Sequence, residues 1–73
     1  MVLFDVQEDK VCGFYEEEKP ALMIVAGMMK LHGIDYARNR YVLTEDPFGK
    51  RGKAKILLRA NDVFSRALVY FAP

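Results

Sequence analysis

Cysteine, histidine and tryptophan are almost missing from this chain, which has one Cys, one His and no Trp in 73 residues. With Cys12 alone, no internal disulfide can close and no thiolate metal cluster can be built. Cys12 lies in the apolar and aromatic run Val11-Cys12-Gly13-Phe14-Tyr15, where a lone cysteine reads as a small buried hydrophobe. No neighbouring base prepares it as a nucleophile. His32 has no second imidazole with which to share a transition metal. Ser65 and Cys12 lack the glycine-framed elbow that would present either of them to a base. No catalytic residue, metal or cofactor is therefore assigned. Long apolar runs are also missing. The longest, Ala21 to Met29 counting Gly27, falls far short of the ~20 residues a membrane span needs. The start Met1-Val2-Leu3-Phe4-Asp5 carries no positive region of the kind that opens a signal peptide. The expectation is a soluble, cytoplasmic protein.

What the chain does have is charge sorted by position. Residues 1–18 hold six acids (Asp5, Glu8, Asp9, Glu16, Glu17, Glu18) against Lys10, a net of −5. Residues 38–59 hold seven bases (Arg38, Arg40, Lys50, Arg51, Lys53, Lys55, Arg59) against Glu45 and Asp46, a net of +5. The formal total of +1 conceals both halves. Such a division means either an anionic partner for the basic half or one half neutralising the other.

Seventy-three residues make a single domain spanning 1–73. A chain of this size buries only ~60% of its unfolded surface, so its core is marginal by itself. Apolar residues make up 52% of it, an excess more easily covered by self-association than by one copy. Val2–Val6 and Val11–Tyr15 are β-branched and aromatic runs on either side of the polar Gln7-Glu8-Asp9-Lys10, which predicts a hairpin. Glu16-Glu17-Glu18 ahead of Lys19-Pro20 predicts a helix start, favoured by the positive end of the helix dipole. That helix is expected over Pro20 to about Leu31, with Lys30 and His32 in its last turn and Gly33 as its stop. It is apolar nearly all round: Ala21, Ile24, Val25, Met28 and Leu31 form one stripe, Leu22, Ala26 and Met29 a second, and Met23 bridges them. Such a helix is buried on both sides, and a partner subunit on its Met-rich side (Met23, Met28, Met29) would complete the cover.

Residues 38–44 and 53–60 alternate as two further strands around the turn 46–52. Tyr41, Leu43, Ile56 and Leu58 are expected to face the core, which leaves Arg38, Arg40, Lys53, Lys55 and Arg59 on an outer basic face. Asn61 suits an N-cap, and Val63, Phe64, Ala67, Leu68 and Phe71 share one face of a helix over about 62–71, which the spacing favours, although Ala67-Leu68-Val69-Tyr70-Phe71 also has the composition of a buried strand. The fold class expected is α+β in the order ββαββα, an antiparallel sheet packed on one central apolar helix.

Two functional readings follow. In the first, the chain is a small non-catalytic regulatory or nucleic-acid-binding protein. Arg38, Arg40, Lys53, Lys55 and Arg59 on the sheet face, and Lys50 and Arg51 at the hairpin tip, would neutralise phosphates, with Phe48 as a stacking ring. Gly49-Lys50-Arg51-Gly52 has the glycine-x-x-glycine form with which KH domains clamp a nucleic-acid backbone, but there the loop joins two helices. Here it lies between two strand-like runs, where a solvated turn explains it equally well. In the second reading the chain is a homo-oligomeric protein–protein interaction module. Its Met-rich helix forms the interface, while Asp5, Glu8 and Asp9 pair with bases on neighbouring strands.

Overall fold

The computed structural model describes residues 1–45 and 55–71. In chain order these form β1 (Val2–Asp5), β2 (Lys10–Phe14), α1 (Glu18–His32), a 3-10 helix (Ile34–Ala37), β3 (Tyr41–Thr44), β4 (Ile56–Leu58) and α2 (Ala60–Phe71). The order ββαββα is the expected one, and all strand pairs are antiparallel in the sheet order β2-β1-β3-β4. Phe48, Lys50, Arg51 and Lys53 lie outside the described residues.

The hairpin between β1 and β2 is closed by Asp5. Its Oδ1 accepts hydrogen bonds from the backbone N–H groups of Gln7 at 2.9 Å and Glu8 at 3.0 Å, the local bonding that makes aspartate a turn residue. Leu3 opposes Gly13 and Phe4 opposes Val11, so β2 carries Cys12 as an extra, unopposed residue. This bulge leaves Cys12 exposed rather than buried as expected.

Helix α1 starts at Glu18, two residues ahead of the expected Pro20. Proline is tolerated there because the first-turn N–H groups have no partner inside the helix. The helix ends where expected: Gly33 takes φ 100° and donates its N–H to the Met29 carbonyl at 2.7 Å. Positive φ is inexpensive for glycine alone. Helix α2 begins one residue before Asn61, so that residue is inside the helix rather than its cap. Arg66 of α2 reaches back to the first turn of α1, with Nη1 at 3.1 and 2.9 Å from the two Glu18 carboxylate oxygens.

Both helices pack on the same side of the sheet. Leu3, Tyr41 and Leu43 meet Leu22, Val25 and Met29 of α1 and Val63 and Ala67 of α2 in one buried cluster. Strand alternation sends Val2, Phe4, Val42 and Thr44 to the opposite side. Ile56 is with them. The expected core position for Ile56 is not observed, because an irregularity between Leu43 and Thr44 pairs Leu43 with Leu58 but Thr44 with Ile56. Leu58 therefore packs on the core while Ile56 remains 49% exposed. Met29 is a core residue, 1% exposed, and is unavailable as an interface residue. Its spacing of one turn from Val25 points it into the α1–α2–sheet junction.

These placements separate the energetic weight of neighbouring aliphatics. Leu43→Ala, at a site with no solvent exposure, should cost ~2–5 kcal/mol in urea unfolding. Ile56→Ala should cost about 1 kcal/mol or less, since half of its surface is already in water. An Ile56 loss as large as that of Leu43 would put Ile56 back in the core.

Candidate functional site

Of the bases expected on an outer face, Arg40 is buried and does not reach it. Strand β3 begins only at Tyr41, after Asn39 takes φ 57°, so strand alternation does not extend back to Arg40 and Arg38. Arg40 instead turns inward and is 8% exposed. Its Nε donates to Asp5 Oδ2 at 3.0 Å, while Nη1 and Nη2 make longer contacts of 3.4 Å with Gln7 Oε1 and Glu8 Oε2. The guanidinium carbon also lies 4.1 Å above the Tyr36 ring, a cation–π distance. Arg38 is exposed, but it pairs with Asp35 at 3.0 Å and lies 4.6 Å over the Phe64 ring. Lys55 and Arg59 are exposed. Among the described residues the face of the sheet away from the helices carries Val2, Phe4, Phe14, Val42, Thr44 and Ile56. That face is apolar, not basic.

Asp5 and Arg40 form the floor of a cleft of about 510 Å³. Ile24 and Met28, one helical turn apart on α1, make its apolar wall, and Lys10 and Cys12 on the edge strand β2 face them. Tyr36 from the 3-10 helix closes one end, stacked on His32 with 4.2 Å between ring centroids. Sequence reasoning anticipated neither the 3-10 helix nor the cleft that it completes.

Asp5, Cys12 and Tyr41 in this cleft are shifted from their ordinary values. Burial pushes the Asp5 carboxyl up, but hydrogen bonds from the Glu8 amide, the Arg40 side chain and the Gln7 amide outweigh it and hold the group below its ordinary 3.8. Although Cys12 is an exposed residue, partial burial reinforced by the negative charge of Asp5 raises its thiol above its ordinary 9.0. Cys12 is thus a protonated thiol near neutrality, not an activated nucleophile. Burial, with Tyr36 and Asp5 nearby, carries the Tyr41 phenol well above its ordinary range. Tyr41 is 2% exposed, and its hydroxyl has no hydrogen-bond partner among the described residues. A buried tyrosine normally finds a partner for that group. Only the alternation that points Tyr41 inward was legible beforehand; the missing partner was not.

Of the expected oligomer residues, Met29 lies in the core, Met28 is half-buried on the cleft wall, and Met23 is 51% exposed. Met23 belongs to a ridge on α1 with Ile24 at 46% and Leu31 at 73%, extended past the helix end by Ile34 at 37%. Gly27 lies in the middle of this ridge, and a Cβ built on it would meet nothing within 4 Å. Among the described residues no helix is long and apolar enough to cross a membrane, and no group of three His, Cys, Asp or Glu is arranged to hold a metal ion. No protein-family model, curated protein or solved structure matches this chain.

Because Asp5 is more acidic in the folded chain than in the unfolded one, acid favours the unfolded chain. Its contribution is complete above the unfolded value and is lost as pH falls through the folded one. The stability gap between the wild type and Asp5→Asn should therefore be constant near neutrality and shrink below about pH 4. Asp5→Ala, which leaves the buried Arg40 with only the longer Glu8 contact and two turn amides unbonded, should cost about 3 kcal/mol at pH 7. Asp5→Leu/Arg40→Met should recover part of that loss. Denaturant titrations across pH check all three variants.

Proposed function

We propose that this chain is a non-catalytic protein–protein interaction module that self-associates through the exposed ridge of α1. The observation that carries the reading is Met23, Ile24 and Leu31 standing open on one side of a helix whose other side is fully used by the core. A single copy leaves this large apolar surface in water, where each buried side chain would contribute ~1.5–3 kcal/mol.

The ridge suits a second copy of the same chain. In a two-fold arrangement the same patch meets itself. Two antiparallel α1 helices crossing at Gly27 set Met23 of one copy, four residues before the glycine, against Leu31 of the other, four residues after it. The glycine lets the backbones approach, and it has no packing task inside its own copy. The same arrangement brings the acidic start of one helix (Glu16, Glu17, Glu18) towards the basic end of the other (Lys30, His32). The outer sheet face also exposes apolar side chains, Phe14 at 57% and Ile56 at 49%, but its central Val2 is already 1% exposed and Phe4 and Val42 are half-buried.

The nucleic-acid reading loses support from the same geometry. Arg40 is committed to Asp5 and Glu8, Arg38 is paired with Asp35, and of the described hairpin bases only Lys55 and Arg59 stay exposed without an ion pair.

Sedimentation equilibrium tests the proposal. The wild type should show a concentration-dependent dimer, and Met23→Glu/Leu31→Glu should weaken it at least tenfold, ~1.4 kcal/mol, with unchanged circular dichroism. Gly27→Ala separates the two states: it should stabilise the dilute monomer by ~0.8–1 kcal/mol through helix propensity and yet weaken the dimer. A monomer at millimolar concentration would sink the proposal. Salt-sensitive oligonucleotide binding, lost in Lys55→Glu/Arg59→Glu, would favour the basic hairpin instead.

A further inference from the structure

We propose that the cleft between α1 and β2 is a binding site for a small amphipathic monocarboxylate, its apolar body against Ile24, Met28 and Tyr36 and its carboxylate towards Lys10 and the Tyr41 hydroxyl. The volume of about 510 Å³ lies within the range of small-molecule sites, ~300–1,000 Å³. The lining has the usual division of such a site into an apolar wall and a few polar groups.

The carboxylate follows from which polar groups are already committed. Four charged residues line the cleft: Asp5, Glu8, Lys10 and Arg40. Arg40 takes both acids, with Asp5 at 3.0 Å and Glu8 at 3.4 Å. Lys10 has no ion pair among the described residues and remains the uncommitted charge, a cation. The second uncommitted group is independent of the first: the Tyr41 hydroxyl, enclosed and without a partner. Its phenol stays protonated throughout the neutral range, so it offers a proton to an acceptor. With both acids paired to Arg40, the unpaired Lys10 and the enclosed, unpartnered O–H of the lining residue Tyr41 favour an anionic oxygen acceptor over an amine. The aliphatic and thioether wall of Ile24 and Met28 on one side and the Tyr36 ring at the end admit either an alkyl or an aryl body.

Ile24 is shared by the cleft wall and the exposed ridge, whereas Lys10, Met28 and Tyr36 belong to the cleft alone, so the two proposals are tested apart. The test is a two-dimensional amide NMR titration of the intact chain, repeated on Leu31→Glu, which leaves every cleft residue in place. The probes are octanoate, 3-phenylpropionate, octanol and octylamine. Octanoate or 3-phenylpropionate should shift the amides of Lys10, Cys12, Ile24 and Met28 saturably in both chains. The stronger of the two identifies an aliphatic or an aromatic source. Octanol and octylamine should bind at least tenfold more weakly, and Lys10→Glu should weaken the carboxylate at least tenfold. Tyr41→Phe should weaken it several-fold while leaving the free chain as stable as before or more so, since it removes an unpaired buried hydroxyl. Equal binding of octanol would reduce the cleft to an apolar pit and overturn the proposal. So would tighter binding of octylamine, or no saturable shift at the cleft amides with either carboxylate.

Discussion

The buried pair of Asp5 and Arg40 is the constraint on which the arrangement of this protein depends. One carboxylate does two tasks with its two oxygens: Oδ1 fastens the β1–β2 turn through the Gln7 and Glu8 amides, and Oδ2 receives Arg40. Arg40 brings the segment entering β3 beside the end of β1, and its carbonyl accepts the Val6 N–H at 2.8 Å. The guanidinium face then supports Tyr36 and, through it, the 3-10 helix that follows α1. A turn, a strand pairing and a helix exit thus meet at one ion pair. Isolated buried pairs are weak sources of stability because desolvation opposes them. This one is surrounded by further donors, acceptors and a ring, the condition under which a buried charge is tolerated.

Local patterning made much of the fold legible. The alternation at Tyr41 and Leu43, the acid-rich start and Gly33 stop of α1, and the i, i+4 spacing of Val63 and Ala67 all correspond to what is observed. Each depends on residues within a few positions of one another. The failures sit where a period is interrupted. Asn39, with φ 57°, ends the reach of β3 alternation before Arg40, and the irregularity opposite Thr44 moves Ile56 to the other face. The bulge at Cys12 exposes a cysteine that composition alone would bury. A bulge is one extra residue in a ladder, and it becomes visible only when the partner strand is known.

The cleft was illegible for a related reason. Its residues come from β1, β2, α1, the 3-10 helix and the start of β3, no two adjacent elements supplying more than a few side chains. No motif of fixed spacing announces such a set. The exposed ridge of α1 was half legible. A helix apolar on nearly every side signals that one copy of a short chain cannot cover it. Which methionine remains outside depended on the face that α1 turns to the sheet and α2, and that left Met29 inside and Met23 out.

The sorted charges of the sequence acquire a specific meaning in this geometry. The acidic and basic halves do neutralise each other, but through one base rather than along two facing strands: Arg40 crosses to Asp5 and Glu8. Once those acids are taken, Lys10, the single base of the acidic half, is left without a counter-charge beside them. Arg40 therefore does more than hold the hairpin. By pairing with both carboxylates, it leaves Lys10 as the charged group of the cleft lining that has no ion pair among the described residues, in a site whose four charges sum to zero. A chain whose first eighteen residues carry a net of −5 thereby presents a cation and a protonated phenol on the cleft built from that same segment. The segment is strongly acidic while the two acids and two bases of the cleft cancel, and one arginine from the other half of the chain accounts for the difference.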